Sequence, residues 1–139
     1  MTKEELIKRT QENELIKFLG IKIESVEPER TILTMDVTQK AHQYIGIMNG
    51  GVSLFLCETA ASIAAVAAAD LTKFAPVGIE INANHLRAVS KGKLTVQAKP
   101  LYNGKSMSVW NVEITNERGK LICVSRCSIL HRKGAAIVK

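Results

Sequence analysis

Glu58 stands inside the most apolar stretch of the chain, where a carboxylate needs a reason to be. On a helix its neighbours one turn away are Leu54, Phe55, Ala61 and Ser62, and two turns away Gly51 and Ala65. Ser62 is the one polar side chain among them. That pattern predicts a helix apolar all round and buried on all sides, and a carboxylate there is costly unless it is paired or used. Two structural readings stand beside the functional one. Glu58 pairs with a core Arg or Lys, or it surfaces through a gap between subunits. The functional reading makes it a general base or a nucleophile.

Asn49-Gly50-Gly51 precedes the same helix. Backbone N–H groups at a helix start, free of side-chain bulk, can approach a ligand oxygen, and the helix dipole favours negative charge there. A thioester carbonyl attacked by water develops that charge. An oxyanion binder and a carboxylate two turns apart are therefore two parts of an acyl-transfer site. The competing reading of the glycines alone is a plain N-cap turn. Ser62 is placed to orient the carboxylate or a water, or else bonds back to its own helix. Gln43, on an irregular segment, either presents its amide to a substrate or is simply exposed. His42, His85 and His131 lack metal-ligand spacing, and no metal site or separate cofactor is expected.

The elements that must position these residues follow from periodicity. Thr2 to Glu5 has capping-box form ahead of Leu6 and Ile7. A short helix is expected, broken near Gln11 to Asn13, with a second turn from Leu15 and an end at Gly20. Residues 21–26 and 31–37 alternate apolar and polar as two strands of a hairpin. Residues 52–69, rich in Ala and Leu without Gly or Pro, predict a helix of about five turns. Four further strands are expected near 77–86, 93–101, 107–115 and 120–129, separated by Lys91-Gly92, Asn103-Gly104 and Glu117-Arg118-Gly119. The basic tail from His131 onward is expected to fray. One apolar helix among antiparallel strands implies an α+β domain, its sheet curled around that helix. At 139 residues there is room for one such domain.

Bulk properties narrow the partners. A formal charge of +6 suits an anionic ligand. The cations are scattered, and neither interleaved aromatics nor nucleic-acid-binding signatures occur, so nucleic acid is not expected as a partner. Three cysteines, Cys57, Cys123 and Cys127, without paired spacing or a signal-peptide pattern, imply free thiols in a reducing, cytoplasmic compartment. Glu58 interrupts the longest apolar run, so no membrane span is expected. A core short of large side chains favours burial against a second copy.

The segment Gln43-Tyr44-Ile45-Gly46-Ile47-Met48-Asn49-Gly50-Gly51, followed by Glu58-Thr59-Ala60-Ala61-Ser62, resembles the signature of the hotdog-fold thioesterases, and within them the PaaI-like group. The likeness continues through residues 78–87 and the strand holding Trp110, covering about residues 18–131. It implies a homotetramer built from dimers, with active sites at the dimer interface and acyl-CoA or acyl-carrier-protein thioesters as substrates. Glu58 then corresponds to the nucleophile or base, Gly51 to the backbone amide that polarises the carbonyl, Gln43 to an assisting glutamine, and Ser62 to a residue near the attacking water. Val77, Asn84, His85, Leu86 and Arg87 match positions touching the CoA or acyl portion. Arg87 with nearby Lys91 also suits phosphate by charge.

Asn49 departs from this pattern, because the family usually has His there. Asn can donate a hydrogen bond or hold the loop, but carries no proton at neutral pH. Two other classes compete. A non-catalytic acyl-CoA sensor would explain Asn49 and leave Glu58 idle. A dehydratase of hydroxyacyl thioesters would need a histidine near the helix start, and in sequence the nearest, His42, lies seven residues before Asn49.

Overall fold

In the strand Met107–Thr115 every second side chain is buried: Ser108, Trp110, Val112 and Ile114 point inward. This period of two is what a sheet with one covered face imposes, and the same rule buries Leu94, Val96 and Ala98 in the preceding strand. The computed structural model describes residues 2–134.

The elements run α1 (Lys3–Glu12), α2 (Glu14–Leu19), β1 (Lys22–Glu27), β2 (Arg30–Val37), α3 (Gly50–Ala68), β3 (Phe74–His85), β4 (Gly92–Asn103), β5 (Met107–Thr115) and β6 (Leu121–Lys133). The strands form one six-stranded sheet in the order β1-β2-β4-β5-β6-β3, antiparallel at every pairing. α3 crosses its concave face. Leu56, Cys57, Ala60, Ala61 and Ala64 of α3 meet Leu33, Met35, Val96, Val112 and Ile129 of the strands. The alanines let the helix approach closely, and Trp110, almost fully buried, fills much of the remaining volume. This is the hotdog fold expected from the sequence.

The N-terminal capping box forms: Thr2 Oγ1 accepts from the Glu5 N–H at 3.1 Å, and the Glu5 carboxylate accepts from the Thr2 N–H at 2.8 Å. Asn13 ends α1 and caps α2, so the expected break falls there. Gly20, at φ 70°, stops α2 in the left-handed region that glycine tolerates. β6 continues through Lys133, paired with Phe74 to Pro76 of β3, so the expected fraying does not begin at His131. The rest of that tail, 135–139, lies outside the described residues.

One expectation is corrected. α3 is not buried on all sides. Its sheet-facing side is covered, while Phe55, Glu58, Thr59, Ser62 and Val66 form a half-buried stripe on the other. Among the described residues α3 is long and apolar enough to cross a membrane, but in this fold it is the core helix.

β3 is the functional exception within the sheet. It sits at the edge, twelve residues long, and most of it is exposed, including Val77 (41%) and Ile79 (54%).

Candidate active site

Glu58 projects from the half-buried stripe of α3 toward β3. There its carboxylate occupies the space that a side chain on Gly78 would need, because Oε1 lies against the Gly78 Cα. A bulge between Gly78 and Glu80 shifts the β3–β6 register at this point. The core-pairing reading is not met: the ion pairs among the described residues are Lys17–Glu14 and Lys73–Asp70. Glu58 instead lines a cavity of about 520 Å³ together with Ser62 and Thr59, closed on one side by α1. Cys127, paired with Ile81 across β3 and β6, records the nearby carboxylate. Burial first, then the negative charges of Glu58 and Glu80, push its thiol up to about 12.

The helix start is built by Asn49. Its backbone N–H donates to the Ala41 carbonyl at 2.8 Å, and its carbonyl accepts from the Val52 N–H at 3.0 Å. Its side-chain Oδ1 accepts from the Gly51 N–H at 2.8 Å, a side-chain N-cap. The Gly51 amide is therefore not the unpaired group expected from the sequence; Asn49 occupies it. Gln43 anchors the preceding loop. Its Oε1 accepts from the Ile45 N–H at 2.9 Å, and its backbone N–H donates to the Ile47 carbonyl at 2.8 Å. With Oε1 held, the amide nitrogen is the end left for a ligand.

A histidine does stand at the helix start. His85, at the end of β3, lays its imidazole against the Gly50 Cα, where any larger residue would collide with the ring. Gln43, Gly50, His85, Leu86 and Arg87 line a second cavity of about 330 Å³. Val89 is shared with a third hollow, which holds Lys91, Lys93 and Arg118. Val77 and Asn84 enter neither of the first two cavities. Val77 lies on the exposed edge beside Gly78, and alternation turns Asn84 away from His85.

Within one chain, then, Glu58 and Ser62 belong to one cavity, and Gln43, Gly50, His85, Leu86 and Arg87 to another. About 10 Å of helix separates Gly51 from Glu58. No cluster of potential metal ligands occurs among the described residues.

The model of the thioesterase superfamily matches residues 45–123, which span α3, β3, β4 and β5. The chain belongs to the thioesterase superfamily. It is 44% identical over 115 residues to the 1,4-dihydroxy-2-naphthoyl-CoA hydrolase of Listeria monocytogenes, covering 83% of this chain and 93% of that one. Thioesterase HI1161 of Haemophilus influenzae is 38% identical in structure comparison, with a TM-score of 0.84 over 94% of this chain and 90% of that one. A variant of thioesterase PA1618 of Pseudomonas aeruginosa superposes with a TM-score of 0.88 at 30% identity, over 96% and 95% of the two chains.

Two features of this thioesterase escaped the sequence reading. Gly78 was visible only as a strand glycine, although its place within residues 77–86 hinted at a close approach. The wall that α1 gives to the Glu58 cavity, through Leu6, Arg9 and Thr10, carried no signal beyond helical spacing.

Proposed function

We propose that this thioesterase hydrolyses aromatic acyl-CoA thioesters in a site completed by two copies of the chain. The observation that carries the proposal is the Glu58 carboxylate, which makes no ion pair among the described residues and is held over Gly78 in a cavity with Ser62. A base so placed can take a proton from water, or attack directly.

The exposed edge strand β3 supports the two-copy arrangement. Glu58 meets this edge strand at Gly78, and the helix start meets it at His85. An exposed edge of this length is a template for pairing. Antiparallel pairing with a second copy, about a two-fold between Ile81 and Asn82, sets each Gly78 beside His85 of the second copy. Glu58 of one copy then faces Gln43, Asn49, Gly51 and His85 of the other. The dimer is the smallest unit holding both halves of the site, and a tetramer would be built from such dimers.

In that site the thioester carbonyl takes the Gly51 N–H from the Asn49 side chain. One acceptor replaces another, so no buried donor is left unpaired. Water held near Ser62 attacks the carbonyl carbon as Glu58 removes its proton. The new C–O bond forms, the C–S bond breaks with its electron pair on sulfur, and the proton ends on the thiolate. Carboxylic acid and CoA thiol leave. Gln43 directs its amide nitrogen at the substrate, while Arg87, with Lys91 beyond it, suits the CoA phosphates. The likeness to a naphthoyl-CoA hydrolase supports an aromatic acyl group.

The test is free-thiol release from a panel of aryl- and alkyl-CoA esters and one acyl-carrier protein. Glu58→Ala is expected to lose on the order of 10²-fold or more in rate. Equal rates in wild type and variant would remove Glu58 from the mechanism, and preference for the carrier protein would replace CoA. His85 at the helix start favours one second reading, dehydration of hydroxyacyl thioesters, which enoyl product would reveal.

A further inference from the structure

The cavity that holds Glu58 has a wall which the reaction itself does not require. α1 supplies Leu6, Arg9 and Thr10, spaced i, i+3 and i+4 on one helical face, and Asn13 follows at the break between α1 and α2. α3 faces them with the stripe from Phe55 to Val66, about 16 Å of helix. The groove is apolar at Leu6, Ile16, Phe55, Ile63 and Val66, as a ring system would want, and its volume of about 520 Å³ is in the range of small-molecule sites.

Its polar groups are mostly donors. Arg9 makes no ion pair among the described residues. Asn13 uses its Oδ1 to cap α2, accepting from Leu15 and Ile16 at 3.1 and 3.3 Å, which leaves its amide nitrogen as the outward end. Thr10 and Thr59 add hydroxyls. An alkyl chain laid along this groove would cover the half-buried Thr10 and Thr59 hydroxyls and leave the exposed Arg9 and Asn13 donors to water, making no bond with any of them. An acyl group that carries its own oxygens would satisfy them.

We propose that Arg9, assisted by Asn13, is the specificity determinant of the acyl pocket, and that it selects aromatic acyl groups bearing a hydroxyl or carboxylate substituent. The proposal rests on Glu58 marking the reacting end of this cavity. Arg9 does no chemistry. Its guanidinium supplies a planar, permanently charged donor set that ring oxygens can accept from.

The experiment compares wild type, Arg9→Met and Arg9→Lys in two ways. First, kcat/KM is measured for 1,4-dihydroxy-2-naphthoyl-CoA and for unsubstituted 2-naphthoyl-CoA. The ratio of the two is expected to fall at least tenfold in Arg9→Met and to be partly restored in Arg9→Lys. Second, calorimetry measures binding of the free hydroxylated and unsubstituted naphthoic acids, with the same loss of contrast expected. Arg9 is exposed on α1, so neither variant should disturb the fold. Unchanged ratios in both measurements overturn the proposal. A contrast in binding without turnover by any form would uphold the pocket and refute the hydrolytic reading of Glu58.

Discussion

The Glu58 carboxylate rests against the bare Cα of Gly78, in space that belongs to a side chain in any other residue. The residues are twenty apart in sequence, on the core helix and the edge strand. Gly78 is thus part of the geometry that aims Glu58. Gly78→Ala should swing the carboxylate aside and lower kcat by roughly 10- to 100-fold, since small misplacements of catalytic groups cost that much. Glu58 is half-buried and its side chain can move, so the fold should survive. Circular dichroism together with steady-state kinetics checks both points. Wild-type kcat in a folded Gly78→Ala protein would sink the argument.

Asn49 is expected to affect stability and turnover in opposite directions. Its Oδ1 caps α3 and at the same time occupies the Gly51 amide. Asn49→Ala should lose about 1 kcal/mol of stability, the usual worth of a side-chain cap, while KM holds or falls because the competitor for that amide is gone. Asn49→Asp should keep the cap and bind the amide more firmly as an anion, lowering kcat/KM. A lowered denaturant midpoint with a raised KM in Asn49→Ala would count against displacement.

The proposed two-copy site makes a prediction that no single chain can imitate. Glu58→Ala and Gln43→Ala should each be nearly inactive alone. Unfolded together and refolded, they should recover up to about a quarter of wild-type activity. Half of the dimers are then mixed, and each mixed dimer holds one intact site of two. No recovery, with mixed dimers shown by mass spectrometry, would put the whole site within one chain.

The buried thiols give a signature at high pH. Burial and the charges of Glu58 and Glu80 push Cys127 up to about 12. The neighbouring Cys123 and burial push Cys57 upward as well. An unfolded thiol ionises near about 8.5. A group whose folded pKa is raised stabilises the fold fully below the unfolded value, and that stability is lost as pH rises toward the folded one. Urea midpoints should therefore decline from about pH 9 upward, and decline less in Cys127→Ala. The same slope in both proteins would exclude Cys127 as a source. At pH 8 the folded enzyme should react slowly with iodoacetamide, which keeps its own thiols out of a thiol-release assay.

Much of this protein was legible in one dimension. The glycine turns at Asn103-Gly104 and Glu117-Arg118-Gly119 bounded β5 to residues 107–115, where the strand forms and buries every second side chain. The Ala-rich run without Gly or Pro dictated α3, and Thr2, Asn13 and Gly20 dictated where α1 and α2 begin and end. Glu58 was conspicuous by composition alone. These are local properties, set by backbone geometry and by the contrast between a residue and its near neighbours.

What the sequence could not determine is which distant groups share a space. Glu58 on Gly78, the imidazole of His85 on Gly50, and the division of the site residues between two cavities depend on α3 lying across β3 at one particular offset. That offset comes from packing α3 on the whole sheet, to which Leu33, Val96, Val112 and Ile129 contribute together. The occupied Gly51 amide is a lesson of the same kind. An Asn before two glycines signals a cap or an open donor equally well, and only the rotamer of Asn49 in the folded loop decides between them. Spacing names the groups that can react; the tertiary structure decides which of them meet, because close approach is a property of packed surfaces.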